Sequence, residues 1–124
     1  MGSPPVTAVF DTNIVIDCLR GLEQADEEYS RYDKVFISRV TWMEVLVGVD
    51  SEDVRDFLKQ KFTTTAIDVE VAEAAIEIRR NHRRLKLPDA VIWATATTRD
   101  CMLVTRNTRD FSDEEKTVRV PYSI

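Results

Sequence analysis

Residues 6–19 read VTAVFDTNIVIDCL, a short β-prone run that ends at Asp11 and passes directly into a helical pattern. Val6 to Phe10 is typical of a strand, and Ile14 to Leu19 carries apolar residues at helical spacing before Gly21. A strand that leads at once into a helix is the repeating unit of parallel α/β sheets. This stretch therefore predicts an α/β fold in which Asp11 lies at the carboxyl end of the first strand.

The same alternation continues along the chain. Further strands are predicted at 35–37, 63–67, 102–104 and 118–120, and helices at 23–32, 41–48, 51–61, 68–85 and 88–96. Asp68 is the expected cap of the long helix, and Pro88 suits the first turn of the next. Strands alternating with helices predict a central parallel sheet covered on both faces, as a three-layer α/β/α sandwich. At 124 residues, we expect a single domain over residues 1–124.

Composition and net charge argue against several classes of protein, including membrane proteins and disulfide-rich proteins. No apolar run approaches the roughly 20 residues of a membrane-spanning helix, and no secretory signal is visible, so we expect no membrane partner. Cys18 and Cys101 form neither a disulfide framework nor a CxxC zinc spacing, which favours a reducing cytoplasm and small apolar packing roles. The formal net charge of -5 argues against broad nucleic-acid binding but leaves room for a local basic groove.

Four short motifs that contain acids stand where predicted strands give way to loops or helices. They are DTN at 11–13, TWME at 41–44, LPDA at 87–90 and TRNTRDF at 105–111. The carboxyl ends of neighbouring parallel strands meet at one edge of a sheet, so these motifs are expected to converge there.

Each acid also has a local structural interpretation. Asp11 can cap the following helix, and Thr41 with Glu44 fits a capping box. Asp89 lies in a first helical turn, where the helix dipole favours negative charge, and Asp110 fits a turn. Taken together, however, several carboxylates in one cleft would repel each other unless a cation joined them. Oxygen ligands without His or Cys suit Mg²⁺ or Mn²⁺.

The ordered set of motifs resembles the PIN-domain nucleases, and Arg20-Gly21 after the first helix is similar, more narrowly, to the VapC-type toxins of toxin–antitoxin pairs. The resemblance runs from about Val6 to Val120. It implies an α/β/α fold and a metal-dependent endoribonuclease, in which Asp11, Glu44 and Asp89 hold the metal, and Asn13 and Thr105 support them.

The last motif departs from the family pattern. Many relatives carry an aspartate two residues after the threonine, where this chain has Asn107. Asn107 could supply a neutral oxygen to the metal, or Asp110 could complete the catalytic set instead. The resemblance therefore leaves open whether one or two Mg²⁺ (or Mn²⁺) ions bind.

Local positive charge is needed to bind RNA. Arg106 and Arg109 lie beside the last motif and are the predicted phosphate contacts. A second basic run, from Arg79 to Lys86, fits either an RNA contact or a solvated helix end. His82 within it is interpreted as a packing residue, because water activated by a metal needs no histidine. The two tryptophans are expected to pack in the core or at an interface.

Two rival functions remain open at this stage. One is a metal-dependent phosphatase on a similar sheet, although Asp11-Thr12-Asn13 lacks the second acid of an Asp-x-Asp nucleophile. The other is a PIN module that binds a protein partner without nuclease activity. The toxin resemblance further implies an RNA substrate, an antitoxin partner, a homodimer, and contact with DNA only through the antitoxin.

Overall fold

The computed structural model describes residues 3–111 and 116–124. Its order of elements is that of an α/β protein. The strands are β1 (Thr7–Phe10), β2 (Lys34–Ser38), β3 (Thr63–Thr65), β4 (Met102–Val104) and β5 (Val118–Arg119). The helices are α1 (Thr12–Leu19), α2 (Glu23–Tyr29), α3 (Arg39–Gly48), α4 (Glu52–Lys61), α5 (Val69–Asn81) and α6 (Leu87–Thr98).

The strands form one parallel sheet in the order β3-β2-β1-β4-β5. β1 occupies the centre, with β2 on one side and β4 on the other. The chain therefore reverses its direction of winding at β1, and the carboxyl ends of β1 and β4 lie together. This arrangement confirms the predicted fold class.

Side chains alternate between two apolar layers, as the period of a strand requires. On β1, Ala8 and Phe10 enter the core beneath α1 to α4, whereas Val9 enters the core beneath α5 and α6. Ala90 to Ala96 lies almost wholly in the second core, with Val91 alone partly exposed. The sheet is thus covered on both faces by helices, and polar residues follow the carboxyl ends of β1 and β4.

Two predicted element boundaries were wrong in ways that matter for the site. α3 begins at Arg39 rather than Thr41, because Ser38 caps it by accepting a hydrogen bond from the Val40 amide at 3.1 Å. Thr41 therefore lies inside the helix, and the capping box predicted with Glu44 does not form. β3 also ends at Thr65 rather than at residue 67.

The long helix is shorter than its apolar stripe predicted. α5 begins after its predicted cap, Asp68, but ends at Asn81, so His82 and Leu85 lie beyond it. Leu85 is still buried, since the chain turns back onto the core. His82 packs on the Trp93 ring at 4.9 Å between centroids, which agrees with its predicted packing role. Among residues 3–111 and 116–124, no helix is both long and apolar enough to cross a membrane.

Candidate active site

The acidic motifs converge at the carboxyl edge of the sheet. Asp11 directly follows the central strand, and its amide donates to the Val104 carbonyl at 2.9 Å. Thr105 directly follows β4, and its hydroxyl donates to Asp11 Oδ2 at 2.8 Å across 94 residues of sequence. The pairing of β1 with β4 therefore brings together the first and last motifs.

Asp11 is the most firmly held of the acids. Only 4% of its surface is exposed. Oδ1 accepts from the Thr12 amide at 2.8 Å, and Oδ2 accepts from Asn13 Nδ2 at 3.1 Å as well as from Thr105. Burial raises the pKa of Asp11 and the Glu44 charge adds to the rise, although these three hydrogen bonds act against it. Asp11 thus caps α1 and also lies at the centre of the site.

Glu44 reaches the site through two threonines. The Thr12 hydroxyl donates to Glu44 Oε1 at 2.6 Å, and Thr12 Oγ1 lies 3.2 Å from Thr41 Oγ1. Thr41 is fully buried and packs α3 against α1. Sequence reasoning gave Thr12 and Thr41 no part in the site. The threonine of the first motif was the available signal, because its hydroxyl lies next to the central acid.

Asp89 is electrostatically linked to the other three acids. It is partly buried in the first turn of α6. Burial, followed by the charges of Asp11, Asp110 and Glu44, raises the pKa of Asp89 to about 6. Asp11, Glu44 and Asp110 therefore each lie near enough to Asp89 to act on it, and the four acids are called here the acid cluster. Lys86 partly offsets their charge at Asp89.

Residues 105–110 are called here the site loop. Within this loop, Asn107 holds the side chain of Asp110. Asn107 Nδ2 donates to Asp110 Oδ2 at 2.8 Å, and Asn107 Oδ1 accepts from the Asp110 amide at 3.3 Å. Both ends of the Asn107 amide therefore contact Asp110. In this geometry Asn107 orients Asp110, whose charge acts on Asp89. The ligand role predicted for Asn107 stays a prediction.

The two arginines of the site loop are placed differently. Arg106 donates to Asp17 through Nε at 2.7 Å and Nη2 at 3.1 Å, so the guanidinium binds a buried carboxylate. Arg109 is exposed and lines a cleft of about 480 Å³ together with Asn13 and Asp110. Arg106 also lines this cleft, so its predicted phosphate contact stays a prediction. A larger cavity, of about 700 Å³, lies between α5 and α6, away from the acid cluster.

The donor set suits a hard cation, since it consists of carboxylate oxygens, and the pKa of Asp89 is raised by burial and then by the charges of the other three acids. Within residues 3–111 and 116–124, however, no three acids or other ligating side chains are grouped closely enough to surround one ion. The charge and the oxygen ligands of the acid cluster thus fit a divalent cation, but in this structure the carboxylates do not form a complete ligand shell.

Comparison with known proteins agrees with this arrangement. The family model described as PIN domain matches residues 8–115. Ribonuclease VapC of Rickettsia bellii is 29% identical, over 83% of this chain and 87% of that protein. A toxin–antitoxin complex from Klebsiella pneumoniae contains a chain that is 38% identical, with a TM-score of 0.85, over 94% of this chain and 99% of that one.

A more distant structure, FitAcB from Neisseria gonorrhoeae, shares the fold at 22% identity, with a TM-score of 0.73 over 94% of this chain and 99% of its own. The family match spans β1 to the site loop and includes all four members of the acid cluster. The chain belongs to the PIN domain family.

Proposed function

We propose that this protein is the endoribonuclease toxin of a toxin–antitoxin pair and that it hydrolyses RNA phosphodiesters with the help of Mg²⁺ or Mn²⁺. The observation that carries the proposal is the acid cluster. Its four acids come from motifs that meet at the carboxyl edge of the sheet, and burial together with the charges of Asp11, Asp110 and Glu44 raises the pKa of Asp89 to about 6. Helix capping does not explain that convergence, since only Asp11 caps a helix.

Asp11, Glu44 and Asp89 would hold the cation, and Asp110 would complete the charge. A divalent cation, when bound, lowers the pKa of a water molecule and stabilises charge on the leaving oxygen. The chain itself provides orientation. Thr105 and Asn13 fix the Asp11 carboxylate, and Thr12 fixes Glu44, so the acids are held before any substrate arrives.

The substrate would enter over the cleft beside Asn13 and Asp110. Arg109 is the candidate phosphate contact there, because it is exposed and lines this cleft. Lys86 is a second candidate, since its charge already acts on Asp89. These two cations would bring a polyanion to a chain of net charge -5.

The relatives suggest the biological setting. The Klebsiella pneumoniae structure is a toxin–antitoxin complex, and a related pair from Salmonella typhimurium is bound to DNA. We infer an antitoxin partner for this chain as well, with any DNA contact made by that partner. A homodimer and a cytoplasmic location belong to the same proposal.

Substitution of Asp11 by Asn tests the function. The variant keeps the shape of the side chain and its acceptor for the Thr12 amide, but it removes the central charge. We expect cleavage of a labelled RNA with Mg²⁺ or Mn²⁺ to fall by at least about 10²-fold, since the neutral amide lacks the charge that would hold the ion. Circular dichroism should show an unchanged fold.

The control is Asp56→Asn, an exposed acid on α4 outside the acid cluster. Full activity of Asp11→Asn would contradict the proposal, as would cleavage that persists in EDTA. Turnover of small phosphomonoesters in place of RNA would instead favour the phosphatase alternative, and the absence of both activities in the native protein would favour a binding module.

A further inference from the structure

A buried acid outside the acid cluster connects to it through the site loop. Asp17 lies on α1 and is 3% exposed. It accepts two hydrogen bonds from the Arg106 guanidinium and one from the Tyr122 hydroxyl at 2.7 Å. Burial acts to raise the pKa of Asp17, but these hydrogen bonds and the Arg106 charge bring it below its usual value. Asp17 is therefore a carboxylate that stays ionised inside the fold.

The backbone of Arg106 carries this contact to the site. Its amide donates to Asn13 Oδ1 at 3.2 Å, and the next amide, of Asn107, donates to Thr105 Oγ1 at 3.0 Å. Asn13 and Thr105 are the two side chains that hold Asp11 Oδ2. The side chain of Arg106 thus fixes the loop whose neighbouring atoms orient the central carboxylate.

Asp17 and Asn13 are four residues apart on α1, so they lie on the same helix face. One receives the Arg106 side chain and the other receives the Arg106 amide. The site loop is therefore attached to α1 at two points one turn apart. Such double attachment restricts rotation of the loop as well as its distance from the helix.

We propose that Asp17, supported by Tyr122, is a positioning residue that holds the site loop through Arg106 in the arrangement needed to orient Asp11 and Asp110. Asp17 would contact neither substrate nor cation. This inference rests on the proposed nuclease function, but its structural part, an ordered site loop, can be measured without any activity.

The chain contains a matched control. Glu28 on α2 is also 3% exposed, accepts two hydrogen bonds from Arg119 at 2.8 and 3.0 Å, and accepts one from the Tyr32 hydroxyl at 2.6 Å. Like Asp17, it thus binds one arginine through two hydrogen bonds and one tyrosine hydroxyl, and it has a further, longer ion pair with Arg31 at 3.8 Å.

The Arg119 carbonyl accepts from the Thr105 amide at 3.0 Å, at the start of the site loop, whereas the Arg119 guanidinium donates to Glu28. Glu28 therefore controls for the loss of a buried ion pair whose arginine pairs with Thr105, whereas the Asn13 side chain accepts from Arg106.

The test compares Asp17→Asn with Glu28→Gln, and the milder Tyr122→Phe with Tyr32→Phe. Each variant is assayed for kcat and KM on a labelled RNA with Mn²⁺, and for hydrogen exchange of the Arg106 and Asn107 amides. We expect Asp17→Asn to lower kcat by roughly tenfold while changing KM by less than about twofold, because outer-shell partners affect catalysis to that extent. Exchange at both amides should become faster.

The same changes, smaller in size, are expected for Tyr122→Phe, whereas Glu28→Gln and Tyr32→Phe should leave kcat and the two amides unchanged. Equal losses of kcat in the Asp17 and Glu28 variants would overturn the inference in favour of a merely structural role. A raised KM at constant kcat would also overturn it, and would identify Arg106 as an RNA contact. If Asp17→Asn does not fold, the two tyrosine variants decide the question.

Amide exchange also separates the two proposals. If the native protein cleaves no RNA but the amides exchange faster in Asp17→Asn, the nuclease function is contradicted while the ordering of the loop by Asp17 is established. Unchanged exchange in an active enzyme would contradict only the role of Asp17.

Discussion

Single residues at the site combine structural and chemical roles. Asp11 caps α1 and is also the central acid, and Asn107 closes a turn while it directs Asp110 towards Asp89. These double roles explain why the acids could be found from their motifs, although their detailed contacts could not. The sequence placed Arg106 beside the site, but it could not indicate that the guanidinium turns away to a buried partner eighty-nine residues earlier.

Asp89 should make folding stability depend on pH when no cation is present. Its folded-state pKa of about 6 lies above the ordinary value of 3.8. As pH falls, the Asp89 carboxylate is therefore protonated in the folded protein before it is protonated in the unfolded chain. The contribution of Asp89 to the free energy of unfolding therefore decreases as pH rises from about 4 to about 6. Above that pH Asp89 is ionised in both states, and its destabilisation of the folded protein is at its maximum.

Asp89→Asn should accordingly stabilise the cation-free protein more at pH 7.5 than at pH 4.5, as measured by urea unfolding in EDTA. Addition of Mg²⁺ should reduce the difference at pH 7.5, because the ion offsets the repulsion that the variant removes. Asp56→Asn again serves as the control. A stability difference that is the same at both pH values would show that folding does not raise the pKa of Asp89.

At the level of elements, the order and type of the helices and strands followed from apolar periodicity, while some ends did not. Thr41 and Glu44 matched a capping box, yet Ser38 is the residue that caps α3. Both patterns lie within about one helical turn, and apolar periodicity does not distinguish between two starts so close together. The end of α5 was similarly hidden, because Leu85 continues the apolar stripe after the helix has stopped.

Ser38→Ala tests the corrected start of α3. Loss of the cap should lower the free energy of unfolding by about 1 kcal/mol, since the Val40 amide loses its side-chain acceptor. Ser51→Ala, which removes the cap of α4, is the matched control with the same expected cost. Glu44→Gln should cause no comparable loss. If Glu44→Gln proves as destabilising as Ser38→Ala, the capping-box interpretation of residues 41–44 returns.

At the scale of the whole molecule, the proposed function requires an acidic chain to bind a polyanion through few cations. The formal charge is -5, and the acid cluster adds to the repulsion at the cleft itself. Two arginines are already paired with buried carboxylates, Arg106 with Asp17 and Arg119 with Glu28, so their charges are largely neutralised within the fold. Electrostatic attraction of RNA should therefore depend on a small number of exposed side chains.

Arg109→Ala should weaken RNA binding and lower the slope of log affinity against log salt concentration by about one, because each phosphate contact releases condensed counterions. Binding can be measured by fluorescence anisotropy with an RNA that is not cleaved, in the absence of divalent cations. The exposed Lys59 on α4 provides the control, and Lys59→Ala should leave the slope unchanged. An unaltered slope in Arg109→Ala would remove Arg109 from the proposed contacts.

The pairing of the central strand with β4 also determines when the acid cluster can form during synthesis. Asp11, Glu44 and Asp89 leave the ribosome well before Thr105, whose hydroxyl contacts Asp11 from 94 residues away. Until β4 and the site loop have joined β1, the central carboxylate lacks one of its three side-chain and backbone donors. Because domains fold as units while they are made from the N-terminus, a nascent chain contains most of the acids without the assembled site. If the proposed function holds, a partner that binds during synthesis would therefore meet a chain whose central acid is not yet fully held.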